Sequence, residues 1–365
     1  MWGPWQVEQH SKEDYAKKAY QWAKALKLQD PAIKLILCGK NGHSDWDRYV
    51  LQKCIKYTDM HSIHMYTSDK NHYANACSPR AAERAIEITA SLIDLARCDF
   101  DYETWPDSIS TKAKTPHKPT ICFDEWNIWD PVAAPGDKGG EQLYDVSDML
   151  AVASWLNVFV RQAKYMGMAT VAQSVNVISP LMTTERGVVR QTTYWPLMLF
   201  SKYMRGRSLA VHTKSQAYHG KTMPEWLATT MDLPLMDVSA ALDDEGYVNL
   251  AVVNLHESDA AETKLPAIKG PVKVFVVGGN VNGIRDNNVE GNEKVYIRES
   301  KWQGGESFSF ERHSFTLLRW KAEGASSWNG SAVGGVNGVS HEPTNGFHDE
   351  PAAIMAPVEY TNSSS

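Results

Sequence analysis

The sequence predicts an α/β unit followed by an all-β unit. Apolar strand-like runs and helical stripes alternate four times across about the first 200 residues, an order that argues for a parallel sheet with helices outside it. Beyond Arg207 the chain changes to short alternating runs broken by Gly, Asn and Pro, the pattern of an antiparallel β-sandwich. From about Gly324 it is rich in Gly, Ser and Asn with little apolar content, so a disordered tail is expected. The expected units are therefore 1–205, 206–323 and 324–365.

Local chemistry supports each element in turn. Ser11 with Asp14 three residues on resembles a capping box, and Tyr15, Ala19, Trp22 and Leu26 then recur at helical spacing. "IKLILCG" (33–39) is an apolar run ended by glycine and reads as a buried strand. Ser44 and Asp47 cap a second helix carrying Trp46 and Val50, and "HSIHMY" (61–66) reads as the next strand. Ser78 before Pro79 starts a long helix whose stripe includes Ala82, Ile86, Ile93 and Ala96. Thr120 to Phe123 is a strand, a helix begins near Val146, "TVAQSVNVI" (170–178) is another strand, and a helix covers roughly 193–204. In the second unit "YVNLAVVNL", "VKVFVVGG", "EKVYIRES" and "SFSFERHSFTLLRW" are the expected strands.

Bulk properties narrow the function classes. The formal net charge of -6 offers no reason to expect nucleic acid or an anionic membrane as partner. No run of about 18 apolar residues occurs, so no membrane-spanning helix is expected. Cys38, Cys54, Cys77, Cys98 and Cys122 are odd in number and widely spaced, and read as buried thiols rather than a disulfide framework or a zinc site. Two N-x-S sequons, at Asn329 and Asn362, matter only in a secreted chain. Thirteen Trp and fifteen Tyr are many for this length; such an excess fits core packing and equally suits stacking on the apolar faces of sugars.

In a parallel α/β protein, reacting groups gather at the carboxyl ends of strands. Ser62, His64 and Tyr66 share one face of their strand, with His61, Ile63 and Met65 on the other, which separates the two histidines as ligands for one metal. His64 and Tyr66 fit either a satisfied core or a site. In "TICFDEWNIWD" (120–130), strict alternation sends Glu125 to the face of Phe123 and Ile121 and Asp124 to the face of Cys122, so one carboxylate points into the mouth and the other into packing. An ion pair or capped loop competes here with a sugar-cleaving site walled by Trp126 and Trp129. Gln173, deep in an apolar run, must be hydrogen-bonded if buried, to backbone or to a ligand hydroxyl. "TTERGVVRQ" (183–191) is a polar loop that either covers a pocket or is simply solvated.

The blocks "GPWQ", "FDEWNIW", "AQSVNVISP" and "VRQTTYWPLMLFSKYMRG" together, in this order, resemble the α-L-arabinofuranosidases of glycoside hydrolase family 51, over roughly Gly3 to Trp320. The resemblance implies a (β/α)8 TIM barrel, of which this chain carries the second half, followed by a jelly-roll-like β-sandwich. The count of four βα units agrees, since a closed barrel requires about eight strands. It implies removal of terminal α-L-arabinofuranosyl groups from arabinan, arabinoxylan and related oligosaccharides by a retaining mechanism that needs no metal or organic cofactor.

Carried over by the resemblance, Glu125 is the nucleophile, Tyr66 the tyrosine beside it, Gln173 a glycan-binding residue, and His64 and Trp129 pocket walls. A hydrogen bond from Tyr66 would then orient Glu125 and stabilise its charge. The chain departs from the family pattern at "MWGPWQ": Met1 falls on the residue after the family's acid/base Glu and Trp2 stands where an Asp is usual, which places that Glu just ahead of Met1 and implies a fragment impaired on its own. A signal peptide is then not assessable, and extracellular and cytoplasmic locations stay open, as does a homo-oligomer. Two other readings remain: a non-catalytic carbohydrate-binding fragment, and a barrel glycosidase acting on a different sugar.

Overall fold

The computed structural model describes residues 3–4, 6–104, 118–322 and 358–359. Met1, Trp2 and Trp5 of the first block, both sequons, and the expected tail apart from 358–359 lie outside the described residues.

The first unit runs α1 (Lys12–Gln29), β1 (Ile36–Leu37), α2 (Asp45–Cys54), β2 (Met60–Thr67), α3 (His72–Cys77), α4 (Arg80–Thr104), β3 (Thr120–Ile128), α5 (Val146–Arg161) and β4 (Met166–Val171). A hairpin, β5 (Leu181–Thr184) and β6 (Gly187–Arg190), precedes α6 (Tyr194–Tyr203). Strands β1 to β4 form one parallel sheet in chain order. The helix starts obey the expected chemistry. The Ser11 side chain accepts from the Asp14 N–H, and Ser44 with Asp47 forms a reciprocal capping box, as does Asp145 with Asp148 at α5. A core of Val50, Leu51, Ile63, Ile86, Ile121, Phe123, Trp126 and Trp155 fills the space between sheet and helices.

The second unit continues with β7 (Arg207–Leu209), β8 (Thr213–Lys214), α7 (Leu227–Thr230), β9 (Met236–Leu242), β10 (Tyr247–Asn254), β11 (Ala261–Gly278), β12 (Asn288–Val289), β13 (Asn292–Glu293), β14 (Ile297–Phe310) and β15 (Ser314–Lys321). Six of these make an antiparallel sheet in the order β14-β11-β15-β10-β9-β7. One face, with Val253, Phe275, Phe315 and Leu317, packs on α5 and α6 residues such as Leu150 and Phe200. The other face, with Val252, Val274 and Leu318, is covered by Leu265, Ile268 and Phe310 from the long β11–β14 ribbon.

Three expectations change. The strand expected over 33–39 shrinks to Ile36–Leu37, because the Leu35 backbone is diverted: its N–H donates to the Asp59 carboxylate at 2.8 Å and its carbonyl accepts from Asp59 and Met60. The strand expected over 170–178 ends at Val171, and Asn176 and Ile178 turn to positive φ beyond it. Not every thiol is buried: Cys98 is exposed and Cys38 half-buried, while Cys54, Cys77 and Cys122 are inside. Among the described residues no helix is long and apolar enough to cross a membrane.

A buried polar cluster ties the two units. Arg161 at the end of α5 donates to Glu83 of α4 at 2.9 Å and to Asp237 of β9 at 2.9 Å, and Asn157 donates to the same Asp237 carboxylate at 2.7 Å. Burial alone would raise the Glu83 carboxyl, but the Arg161 hydrogen bonds and charge outweigh it and hold it below the usual range. Nearby, His72 spans the same junction, with Nε2 at 2.7 Å from the Leu255 carbonyl and Nδ1 at 2.8 Å from Ser147 Oγ. Burial lowers its pKa, so the neutral ring donates through Nε2 and accepts from Ser147 through Nδ1.

Removing Arg161 leaves the buried Asp237 carboxylate with Asn157 as a neutral donor and the buried Glu83 carboxylate with Arg80 and Gln162, so Arg161→Ala is expected to cost about 2–4 kcal/mol in urea unfolding. Arg84→Ala, which breaks only the exposed pair with Glu87, should stay within about 0.5 kcal/mol. The Glu83 contribution is present above the unfolded carboxylate pKa and disappears as pH falls through its lowered folded value, and Arg161→Ala should flatten that acid limb.

Candidate active site

The candidate site lies along the carboxyl-terminal halves of β2 and β3; the strand expected to stop at Phe123 runs on to Ile128, so Asp124 and Glu125 lie within it. The Phe123 and Trp126 rings both pack on α5: Phe123 is 5.4 Å from Trp155 and 5.4 Å from Phe159, and Trp126 is 5.5 Å and 5.1 Å from the same two rings. Residues three apart on a regular strand face opposite ways. Here β3 carries one extra residue between them. Ser62 pairs with Cys122 but His64 pairs with Glu125, and on the other side Phe123 pairs with Ala169 but Trp126 with Val171. This is a β-bulge, and it re-aims the two residues inside it.

The consequence corrects the expectation of alternating carboxylates. Asp124 and Glu125 both reach the His64 ring, Asp124 Oδ1 at 3.0 Å from Nε2 and Glu125 Oε2 at 3.8 Å from Nδ1. Ser62 Oγ donates to Asp124 Oδ1 at 2.8 Å. Tyr66 Oη donates to Glu125 Oε2 at 3.2 Å. The Glu125 side chain stays 48% exposed, so its carboxylate faces solvent while its neighbours are held.

The electrostatics follow from this packing. Burial would raise Asp124, but hydrogen bonds from His64 and Ser62 and the His64 charge bring it below the usual carboxylate range. Burial would lower His64, but the Asp124 hydrogen bond and the charges of Glu125 and Asp124 outweigh it, so the imidazole keeps its proton further up the pH scale. Burial, then the charge of Glu125, push the Tyr66 phenol well above its ordinary value, so it remains a donor.

His61 lies apart from this group, fully buried with Nε2 at 3.0 Å from Asp47 Oδ1. Trp129 stands at the rim, its ring 5.4 Å from Tyr66 in an edge-on arrangement and its indole N–H on the Ala134 carbonyl at 2.9 Å. Trp126, by contrast, is 2% exposed and belongs to the core, not to a sugar-facing wall. Gln173 is exposed rather than buried, since β4 is an edge strand that stops two residues before it. It stands at the same end of the sheet, where Asn127 donates to the Ala172 and Ile178 carbonyls and so fastens the intervening loop to β3. Residues 183–191 form the β5–β6 hairpin and its end. Its last residue, Gln191, is buried and donates to the Gln142 and Ser179 carbonyls at 3.0 and 2.7 Å, a structural use that its position in a polar loop hid.

Residues 124–314 match the family model for the α-L-arabinofuranosidase C-terminal domain. The chain is 53% identical over 333 residues to a probable α-L-arabinofuranosidase C of Aspergillus flavus and 52% identical over 334 residues to α-L-arabinofuranosidase C of Emericella nidulans. Each alignment covers 88% of this chain and 64% of the relative, so the chain spans less than two thirds of those proteins' length. Among solved structures, the Thermotoga maritima α-L-arabinofuranosidase in complex with arabinose superposes with a TM-score of 0.73 at 22% identity, over 88% of this chain and 64% of that one. The Thermotoga petrophila family 51 enzyme does so with the same TM-score at 23% identity, over 88% and 64%. The fold is thus that of an α/β unit joined to a mostly antiparallel sheet. The chain belongs to the α-L-arabinofuranosidase family that this C-terminal-domain model defines.

The His64 imidazole should titrate above an ordinary histidine when followed by NMR, and Asp124→Asn should bring it down. The stability that His64 draws from the two carboxylates is fully present below its unfolded pKa and is lost as pH rises through the raised folded value. A His64 titration unmoved by Asp124→Asn would contradict this account.

Proposed function

We propose that the chain is the portion of a retaining α-L-arabinofuranosidase that carries the nucleophile, Glu125, and that the substrates are arabinan, arabinoxylan and related oligosaccharides. The observation that carries this reading is the solvent-facing Glu125 carboxylate at the β3 bulge, held by the Tyr66 hydroxyl at 3.2 Å and flanked by a His64 ring that favours its protonated form. The similarity to named arabinofuranosidases supplies the sugar. We read 1–205 as βα units of a (β/α)8 barrel and 206–323 as a jelly-roll-like sandwich, a reading supported by the chain-order parallel sheet and by the antiparallel sheet covered on both faces.

In this reading Glu125 attacks the anomeric carbon and the leaving oxygen departs, giving a covalent arabinosyl ester that water then cleaves. Tyr66 fixes the attacking carboxylate, and its phenol hydrogen bonds to the oxygen that carries the charge. Trp129 braces Tyr66 edge-on. Gln173 and His64 are assigned to the sugar's hydroxyl groups and to the site's charge balance. A retaining enzyme also requires an acid/base carboxyl about 5–5.5 Å from the nucleophile. Asp124 is unsuited to that part, being held ionised by His64 and Ser62. Asp69 and Asp130 accept from N–H groups of their own loops.

An aryl α-L-arabinofuranoside with a strongly acidic phenol, which leaves without acid help, tests the nucleophile in the 365-residue chain. A mass increase of one pentosyl group on Glu125, found by peptide mapping and absent in Glu125→Gln, is the expected result. Tyr66→Phe should slow labelling roughly ten- to a hundredfold, the kinetic equivalent of about 1.5–3 kcal/mol for a hydrogen bond to a charged group. Labelling elsewhere, or none, overturns the assignment. If arabino-oligosaccharides nonetheless bind, the non-catalytic carbohydrate-binding reading takes its place.

A further inference from the structure

A cleft of about 800 Å³ opens beside the Glu125 end of the site and is walled by both units. From the parallel unit come Tyr66, Lys70 and Trp129, and from the second unit Met223, Pro224 and Trp226. Tyr66 belongs to both: its hydroxyl donates to Glu125 and the residue lines the cleft. A volume in the range of roughly 300–1,000 Å³ takes a ligand much larger than one pentose.

The second-unit wall is built to hold an indole in the open. Tyr218 stacks on Tyr73 of α3, with ring centroids 5.2 Å apart, and so anchors the segment before α7 to the parallel unit. Thr222, itself buried, donates to the Pro224 carbonyl at 3.0 Å and accepts from the Ala228 N–H at 3.2 Å, closing the 222–228 turn. Leu227 is fully buried in the junction core. Between these fixed neighbours the Trp226 side chain remains 38% exposed and faces the cleft. An exposed large aromatic held in place by buried residues loses little entropy on meeting a ligand, which is the economy of a preformed binding platform.

We propose that this cleft binds the part of an arabino-oligosaccharide that is not cleaved, with Trp226 as the stacking platform that determines preference for chains over single sugars. The proposal rests on the assignment of Glu125 as nucleophile, because that assignment says which end of the cleft receives the scissile unit. Apolar sugar faces lie on the indole of Trp226, and hydroxyl groups meet polar lining residues such as Lys70.

The test is titration calorimetry on the 365-residue chain with linear arabinotetraose and with free L-arabinose. The unsubstituted chain should bind the tetraose more tightly than arabinose. Trp226→Ala should weaken tetraose binding roughly tenfold, the loss typical of truncating an anchoring aromatic, and so erase that preference. Trp226→Phe, which keeps an aromatic face, should retain most of it. Equal tetraose affinity in Trp226→Ala and the unsubstituted chain, or no preference for tetraose to begin with, overturns the proposal. Failure of the aryl arabinofuranoside to label Glu125 counts against the nucleophile alone, since the binding comparison decides the cleft without any turnover.

Discussion

The packing of Phe123 and Trp126 on the same two rings of α5 is the constraint on which the candidate site depends. Burying two large aromatics on one side of a strand, three residues apart, requires an extra residue in β3. Each ring removes on the order of 150–250 Å² from water, which outweighs the loss of a few ladder contacts. The bulge then turns Asp124 and Glu125 out of the strand's alternation, where His64 meets both. Hydrophobic packing on one side of the sheet thus decides the electrostatics on the other.

The division of labour between the two carboxylates follows from their partners. Asp124 takes hydrogen bonds from Ser62 and His64 and serves to orient and charge the imidazole. Among the described residues Glu125 takes one hydrogen bond, from Tyr66, and has about half its side chain in solvent. A carboxylate already satisfied by several donors is a poor nucleophile, whereas one fixed by a single hydrogen bond keeps an oxygen lone pair for a substrate. The second unit contributes more than stability. Through Arg161, His72 and the Tyr73–Tyr218 stack it is docked rigidly enough to place Trp226 beside the same strand end.

Much of this was legible in the residues. The caps at Ser11 and Ser44 and the helices beginning at 146 and 194 follow from local rules, because hydrogen bonds to neighbours within four residues are decided by neighbours within four residues. Tyr66 and Glu125 were brought together by a resemblance of blocks, and they meet in the fold. The strand periodicity misplaced Asp124, because the rule of two assumes an unbroken ladder. The apolar look of 170–178 misled for a related reason: apolar residues at a sheet edge are not obliged to be buried, and Gln173 is exposed. Trp126, offered as a site wall, is core because its ring had a larger apolar surface to join on α5.

The sequence by itself determined the order of elements and the change from a parallel to an antiparallel pattern near residue 206. These rest on periodicity, caps and short blocks, which are local. Only the tertiary structure decided that both carboxylates share one histidine, that Glu83, Arg161 and Asp237 form one buried cluster across the units, and that Trp226 stands across a cleft from Tyr66 and Trp129. Residues sixty or more positions apart, as His64 and Asp124 are, carry no mark of one another in the chain, since what joins them is burial shared after collapse and not hydrogen bonding along it.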